Sequence, residues 1–310
     1  MKIVCVEPLG ISKERFEQLK AKYAQKGHQF EYYLDRKEDE STLAERMKEA
    51  EVAVISNIKL PAAMLQQCPK LQYLSVAFTG LDHIDLAYCE EHNIKVQNAA
   101  GYSTVAVSEL AIGLMLDVLR RITWLDADTH KGGTRNNFLG RELHGKTVGV
   151  VGTGAIGTAT IKLLLAFGCK VLAYNRSEHD DVKAMGVKYT DLDTLMKESD
   201  IVTLHVPMTN DTHHLINKER IGMMKPTAIL INTARGNVVD MEALATALNE
   251  GKIAGAGIDV YEKEPPLPLQ HPLLNAPNCI CLPHVGYASR EAFDIRADIV
   301  FDHVDQYLGQ

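Results

Sequence analysis

Val148-Gly149-Val150-Val151-Gly152-Thr153-Gly154-Ala155-Ile156-Gly157 is a β-branched run that stops in a glycine pattern, and helix-forming residues follow it to Phe167. The short apolar run predicts a strand, and residues 158–167 predict a helix. Between a strand and a helix, G-x-G-x-x-G has a physical meaning. Gly152 permits the tight turn, Gly154 lets the backbone approach a pyrophosphate, and Gly157 lets helix and strand pack closely. The amides of the helix N-terminus then face the negative charge. Glycine-rich turns are common, so the pattern alone is weak; the flanking strand and helix make it point to a dinucleotide.

A neighbouring match has the opposite context. Gly140-Arg141-Glu142-Leu143-His144-Gly145-Lys146-Thr147 fits the P-loop pattern, but a P-loop follows a strand and opens a helix. Here the match follows a polar loop, residues 130–145, and its Thr147 opens a strand, which excludes a nucleoside triphosphatase on this motif. Lys146 then reads as a solvated residue at a strand edge.

Outward from the loop, strands are predicted at residues 147–151, 170–174, 201–205, 228–232, 256–260 and 280–282. Upstream, they are predicted at 2–7, 30–34, 52–56, 71–78 and 94–97. Helical spacing joins Phe16, Leu19 and Tyr23, and Thr42 with Glu45 reads as a capping box. Residues 103–121 and 291–308 predict long helices. Strands alternating with helices predict an α/β protein of two doubly wound parallel-sheet domains. These are a substrate domain over 1–98 plus 286–310 and a dinucleotide-binding domain over 99–285. A cleft is expected between them, with the last helix crossing back to the first domain.

Bulk properties agree with such a fold. The chain has 310 residues, 46% hydrophobic and 24% charged, with a formal net charge of -7. An acidic balance disfavours nucleic acid and anionic membrane as partners, because both need a basic surface. The cysteines are scattered without C-x-x-C, which predicts free thiols in a reducing cytoplasm. Met1–Glu7 reads as a first strand rather than a signal peptide. No residues read as a metal site. Adjacent His213 and His214 are expected to point to opposite sides of an extended segment. Asp240 reads as the N-cap of a helix over 241–248, and Leu114, Met115 and Val118 as core or interface.

Three polar residues stand where strands give way to loops, the places where α/β sheets hold ligands: Arg235, Glu264 and His284. A guanidinium grips a planar carboxylate with two bonds. Hydride delivery to a ketone builds charge on its oxygen, which a protonated histidine can quench. A carboxylate beside that histidine would raise its pKa and fix its tautomer. At the end of the second strand, ~20 residues past the glycines, NAD sites carry an acidic residue. This chain has Asn175-Arg176-Ser177 instead, which favours NADP(H) and leaves NAD(H) open.

With these pieces the chain resembles the D-isomer-specific 2-hydroxyacid dehydrogenase family over nearly its whole length. The matching segments are Ala77-Phe78-Thr79-Gly80-Leu81-Asp82-His83-Ile84-Asp85, the glycine loop, His205-Val206-Pro207, Asn232-Thr233-Ala234-Arg235-Gly236, Gly257-Ile258-Asp259-Val260, Glu264-Pro265 and Pro283-His284-Val285-Gly286. The resemblance implies a flavodoxin-like substrate domain beside a Rossmann domain, and hydride exchange between a nicotinamide and a small 2-keto or 2-hydroxy acid. It implies Arg235 as substrate clamp, His284 as acid/base and Glu264 as its partner. Asn57, Phe78 and the Thr79-Gly80-Leu81 amides are implied for substrate. Cofactor contacts are implied at Thr104, Gly152, Gly154, Ala155, Ile156, Gly157, Asn175, Arg176, Ser177, His205, Pro207, Thr233, Ala234, Asp259 and Gly286, with Asp259 on the nicotinamide carboxamide. Helix 103–121 would lie in a homodimer interface. Phosphoglycerate dehydrogenases carry arginines near Ile55-Ser56-Asn57, and this segment has none. Formate dehydrogenases pair the histidine with glutamine, which Glu264 argues against. The tryptophan often found in the loop before Gly140 is missing; Trp124 lies upstream. A glyoxylate or hydroxypyruvate reductase is one specific form of this activity. A dinucleotide-sensing, corepressor-like binding protein is the competing class, disfavoured by the intact Arg235, Glu264 and His284.

Overall fold

The computed structural model describes residues 1–263 and 266–309. The chain divides into two units, Met1–Ser103 with Ala288–Gln310, and Thr104–Tyr287. Residues 99–103 therefore go with the first unit, and Gly286 and Tyr287 with the second.

The first unit holds β1 (Lys2–Cys5), β2 (Gln29–Tyr32), β3 (Val52–Ile55), β4 (Tyr73–Val76) and β5 (Lys95–Asn98). They form one parallel sheet in the order β2-β1-β3-β4-β5. This is the flavodoxin-like order, which reverses direction between β1 and β3. The final helix, Arg290–Leu308, belongs to this unit and lies on β4, where Ser75 Oγ donates to the Val300 carbonyl at 3.0 Å. The capping box at Thr42 is not formed. The helix Glu40–Met47 begins earlier, and Asp39 caps it by accepting the Thr42 amide at 2.9 Å. A charged oxygen three residues ahead of Thr42 takes the amide first and adds favourable charge at the helix N-terminus.

The second unit holds β6 (Thr147–Val151), β7 (Lys170–Tyr174), β8 (Lys188–Tyr189), β9 (Ile201–Leu204), β10 (Ile229–Asn232), β11 (Gly255–Ile258) and β12 (Cys279–Cys281). Their order is β12-β11-β10-β9-β6-β7-β8, parallel throughout. Side chains alternate between faces, so Ile229 and Ile231 join one core cluster with Leu114 and Val148 while Leu230 joins the other. Both faces of a parallel sheet are covered, which is why its strands read as unbroken apolar runs.

The helix Thr104–Arg120 buries Leu114, Met115 and Val118 as core. It crosses β11 where that strand is smallest. A Cβ on Gly255 would sit 2.7 Å from Val118 Cγ1 and 2.8 Å from the Asn278 carbonyl, and one on Gly257 3.0 Å from Leu114 Cβ. Among the elements that the sequence pattern did not single out are β8 and the helix Ile122–Thr129, which buries no residue. Asp240 does cap the helix Met241–Asn249. His213 and His214 do not diverge. They lie in a turn with His214 at φ 46°, and their rings stack with centroids 4.1 Å apart. No helix among the described residues is long and apolar enough to cross a membrane.

Gly255→Ala is expected to cost about 1–3 kcal/mol, the range for overpacking a filled core. The check is the urea midpoint, which should fall with the slope unchanged; an unchanged midpoint would contradict the close crossing.

Candidate active site

The three glycines of the loop differ in what constrains them. Gly152 has φ 98°, and a Cβ there would lie 2.5 Å from the His205 carbonyl oxygen. A Cβ on Gly157 would lie 2.0 Å from the Gly152 carbonyl oxygen. Both are glycines because the protein's own backbone leaves no room. Gly154 is different: a Cβ there meets nothing within 4 Å. It caps the helix Ala155–Ala166, which starts three residues earlier than the apolar pattern suggests. The first-turn amides of that helix have no intrahelical partners. Packing does not explain the second glycine, whereas a pyrophosphate drawn against the backbone does.

Side chains from neighbouring strands complete this edge of the sheet. Asn175, just past β7, accepts the Thr153 amide at 3.3 Å and donates to the Ser177 carbonyl at 2.8 Å. It is thus a staple between the glycine loop and the β7 exit. Tyr189, on the two-residue β8, does the same: its hydroxyl donates to Thr153 Oγ1 at 2.9 Å and accepts the His179 amide at 3.2 Å. Nothing in the local pattern marked Tyr189, whose partner lies 36 residues away. His205, past β9, backs the loop, and burial pushes its pKa down to about 4, so the imidazole is neutral at physiological pH. Its Nδ1 and the Thr233 hydroxyl oxygen are buried without a hydrogen-bond partner among the described residues. Buried polar atoms left so are uncommon, and a polar ligand over the loop would satisfy both. The residues present therefore fit a nicotinamide dinucleotide. Of the other sites implied for it, Thr104 opens the helix Thr104–Arg120. Pro207 lies past β9, its carbonyl accepting the Thr212 hydroxyl at 2.6 Å.

The candidate catalytic residues stand on loops with buried anchors. Asn232, fully buried at the end of β10, accepts the Ala234 amide at 3.0 Å and donates to the Arg235 carbonyl at 3.0 Å. That fixes the turn from which Arg235 projects, and Arg235 Nη1 donates to the Ala234 carbonyl at 2.9 Å. The following Gly236 is pressed on the β11 exit, where a Cβ would lie 1.9 Å from the Tyr261 carbonyl carbon. Tyr261 in turn donates its hydroxyl to the Leu282 carbonyl at 2.9 Å, tying the exits of β11 and β12 together.

Asp259, 1% exposed, accepts the Val285 amide on one oxygen and the Gly286 amide on the other, each at 2.8 Å. The residue before these two amides is His284, held at φ 55°. A left-handed backbone costs a non-glycine residue about 1–2 kcal/mol. Hydrogen bonds to a charged group contribute about 1.5–3 kcal/mol each, so two of them outweigh that strain. The His284 ring packs edge-on against Tyr287 at 5.6 Å. Glu264 lies outside the described residues.

In the first unit, the candidate substrate residues follow β3 and β4. Glu7, 1% exposed past β1, accepts the Ser56 amide at 2.7 Å and pairs with Arg36. Arg36 Nη1 also donates to Asn57 Oδ1 at 2.7 Å. Burial pushes the Glu7 carboxyl up, while the Ser56 amide and the Arg36 guanidinium work against it. The segment Ile55-Ser56-Asn57 thus has an arginine in space although none in sequence, because the loop after β2 brings Arg36 there. Phe78 is half-buried against the sheet's core, and the Thr79 carbonyl accepts Asn98 Nδ2 at 2.6 Å. Gly80 and Leu81, next in the chain, are half-buried. Arg176 and Ser177 are exposed, and Arg176 forms no ion pair among the described residues.

A family model described as "D-isomer specific 2-hydroxyacid dehydrogenase, NAD binding domain" matches residues 112–286. The chain is 44% identical over 261 residues to a glyoxylate reductase of Thermofilum pendens, covering 82% of this chain and 76% of that one. It is 40% identical over 257 residues to a hydroxypyruvate reductase of Thermotoga maritima, covering 82% and 83%. Among solved structures, a D-lactate dehydrogenase from Aquifex aeolicus complexed with NAD and lactic acid is similar with a TM-score of 0.84 and 33% identity, over 100% of this chain and 96% of that one.

Asp259→Asn removes one acceptor and turns a donor toward an amide. kcat is expected to fall about 10- to 100-fold, the worth of one charge-assisted hydrogen bond. Steady-state kinetics would show it, and a wild-type kcat would mean that the His284 loop is held by other means.

Proposed function

The chain belongs to the D-isomer specific 2-hydroxyacid dehydrogenase family and is an NAD(P)-dependent oxidoreductase, and from that premise we propose that it reduces small 2-keto acids such as glyoxylate or hydroxypyruvate with His284 as the proton donor. The observation that carries the assignment is Asp259 fixing the His284 loop beside the Arg235 turn at the strand exits of one sheet. A bound nicotinamide supplies the hydride. Arg235 grips the substrate carboxylate through its planar guanidinium. The amides of Thr79, Gly80 and Leu81 are assigned to the same carboxylate. His284 delivers a proton to the carbonyl oxygen as charge builds there, and takes one from the hydroxyl in the reverse direction. Glu264 is assigned to steady the imidazolium, and Asp259 to the nicotinamide carboxamide as well as to the loop.

The cofactor preference is assigned to NADP(H). The Asn175 side chain is engaged by the Thr153 amide of the glycine loop on its oxygen and by the Ser177 carbonyl on its nitrogen, and it carries no charge to repel a 2′-phosphate. The first carboxylate to follow in the chain, Glu178, pairs with Lys183 at 2.6 Å. Arg176 is left as the exposed cation at the β7 exit. All six cysteines are free, which suits the reducing cytoplasm to which we assign the protein. Exposed Val105, Ile122 and Trp124 suit the homodimer contact assigned to helix Thr104–Arg120 and its continuation.

Arg235→Ala is expected to lower kcat/KM by ~100-fold or more, as for a charged pair stripped of one partner, with the thermal midpoint kept. An active alanine variant would remove Arg235 from the mechanism. Arg176→Ala is expected to weaken NADPH about tenfold, one charge-assisted hydrogen bond, and NADH less. Equal losses for the two cofactors in a binding titration would refute the NADP(H) assignment.

A further inference from the structure

The five-stranded sheet has its own ligand-binding geometry. In an open parallel sheet, the crevice lies outside the carboxyl ends of the strands where the order reverses. Here the reversal is between β1 and β3. The residues just past those strands, and past β2, are Glu7, Asn57 and Arg36, and Arg36 contacts both of the others. Arg296, from the last helix, is buried beneath them, donating to Ser56 Oγ at 3.2 Å and the Leu9 carbonyl at 2.7 Å.

Arg36 is held but not exhausted. Its Nη1 serves Glu7 and Asn57, and its Nε donates to Glu38 at 2.7 Å. Its Nη2 donors have no partner among the described residues. The guanidinium is half-exposed, so these donors are open to a ligand. The charge around it sets what that ligand is. Glu7 and Glu38 balance Arg36 and the Arg296 beneath it, so the cluster carries no net positive charge for a phosphate or second carboxylate. A neutral acceptor needs no spare charge.

We propose that Arg36, positioned by Glu7 and Asn57, is the specificity-determining residue of this enzyme and donates through Nη2 to a hydroxyl on C3 of the keto acid, selecting hydroxypyruvate-like substrates over pyruvate-like ones. This rests on the reading that Asn57 and the Thr79-Gly80-Leu81 segment receive the substrate. Glu7 acts through Arg36 and Asn57 as a positioning residue. A site built to hydrogen-bond a hydroxyl rejects the analogue that lacks it, because its donor is then left unpaired.

The test is the ratio of kcat/KM for hydroxypyruvate to that for pyruvate, measured on the full chain with the reduced cofactor. The wild type should favour hydroxypyruvate, and Arg36→Met should lower the ratio about 10- to 100-fold, the range of a charge-assisted hydrogen bond. Arg36→Lys keeps a cation against Glu7 but lacks Nη2, so it should show the same loss even if the methionine variant folds poorly. An unchanged ratio in both variants would overturn the proposal. So would a wild-type preference for phosphohydroxypyruvate that is lost with Arg36, which would reassign the donors to an anion. Failure of the wild type to reduce any of the three acids would instead strike the underlying reductase reading.

Discussion

A carboxylate with 1% exposure, Asp259, accepts two consecutive backbone amides and so determines where His284 can stand. The interaction joins the exit of β11 to that of β12, and the Tyr261 hydroxyl spans the same gap. Next to them, Asn232 closes the turn that carries Arg235. Arg235 and His284 therefore each project from a loop that is irregular in backbone but pinned by a buried polar group. Parallel strands put all their exits on one edge, so these anchors gather in one place without any long-range design of the loops.

The glycine loop shows the same division between scaffold and ligand. Gly152 and Gly157 are required by backbone contacts inside the protein, whereas Gly154 faces open space. The scaffold glycines place the helix Ala155–Ala166 against β6; the remaining one keeps that helix's N-terminus bare. Asn175 and Tyr189 then hold the loop from the side. Substitution at the conventional acidic position thus has a structural component as well as an electrostatic one, since Asn175 donates and accepts where a carboxylate only accepts.

Much of this was legible in the residues because parallel strands buried on both faces leave apolar runs, and those of β6 and β7 match their predicted bounds. The helix Ile122–Thr129 was not, because it buries nothing and so has no apolar stripe to read. β8 was too short and too polar to register. At Asp39 and Thr42 two cap formers compete within three residues, and only the formed helix decides between them. The histidine pair was misjudged because a turn, not a strand, carries it. The site showed a similar boundary. Arg235 and His284 stand on strand exits that local pattern reveals. The roles of Asn232, Tyr189 and Arg36 rest on contacts that sequence spacing does not encode; Arg36 reaches Asn57 across 21 residues and an intervening strand.

The central claim, that the chain is a 2-keto acid reductase and not a dinucleotide sensor, is tested most directly by a spectrophotometric screen of glyoxylate, hydroxypyruvate and larger 2-keto acids with NADPH and with NADH. The account predicts acid-dependent loss of the reduced-nicotinamide absorbance, faster with NADPH. Binding of either cofactor without oxidation by any acid would contradict it.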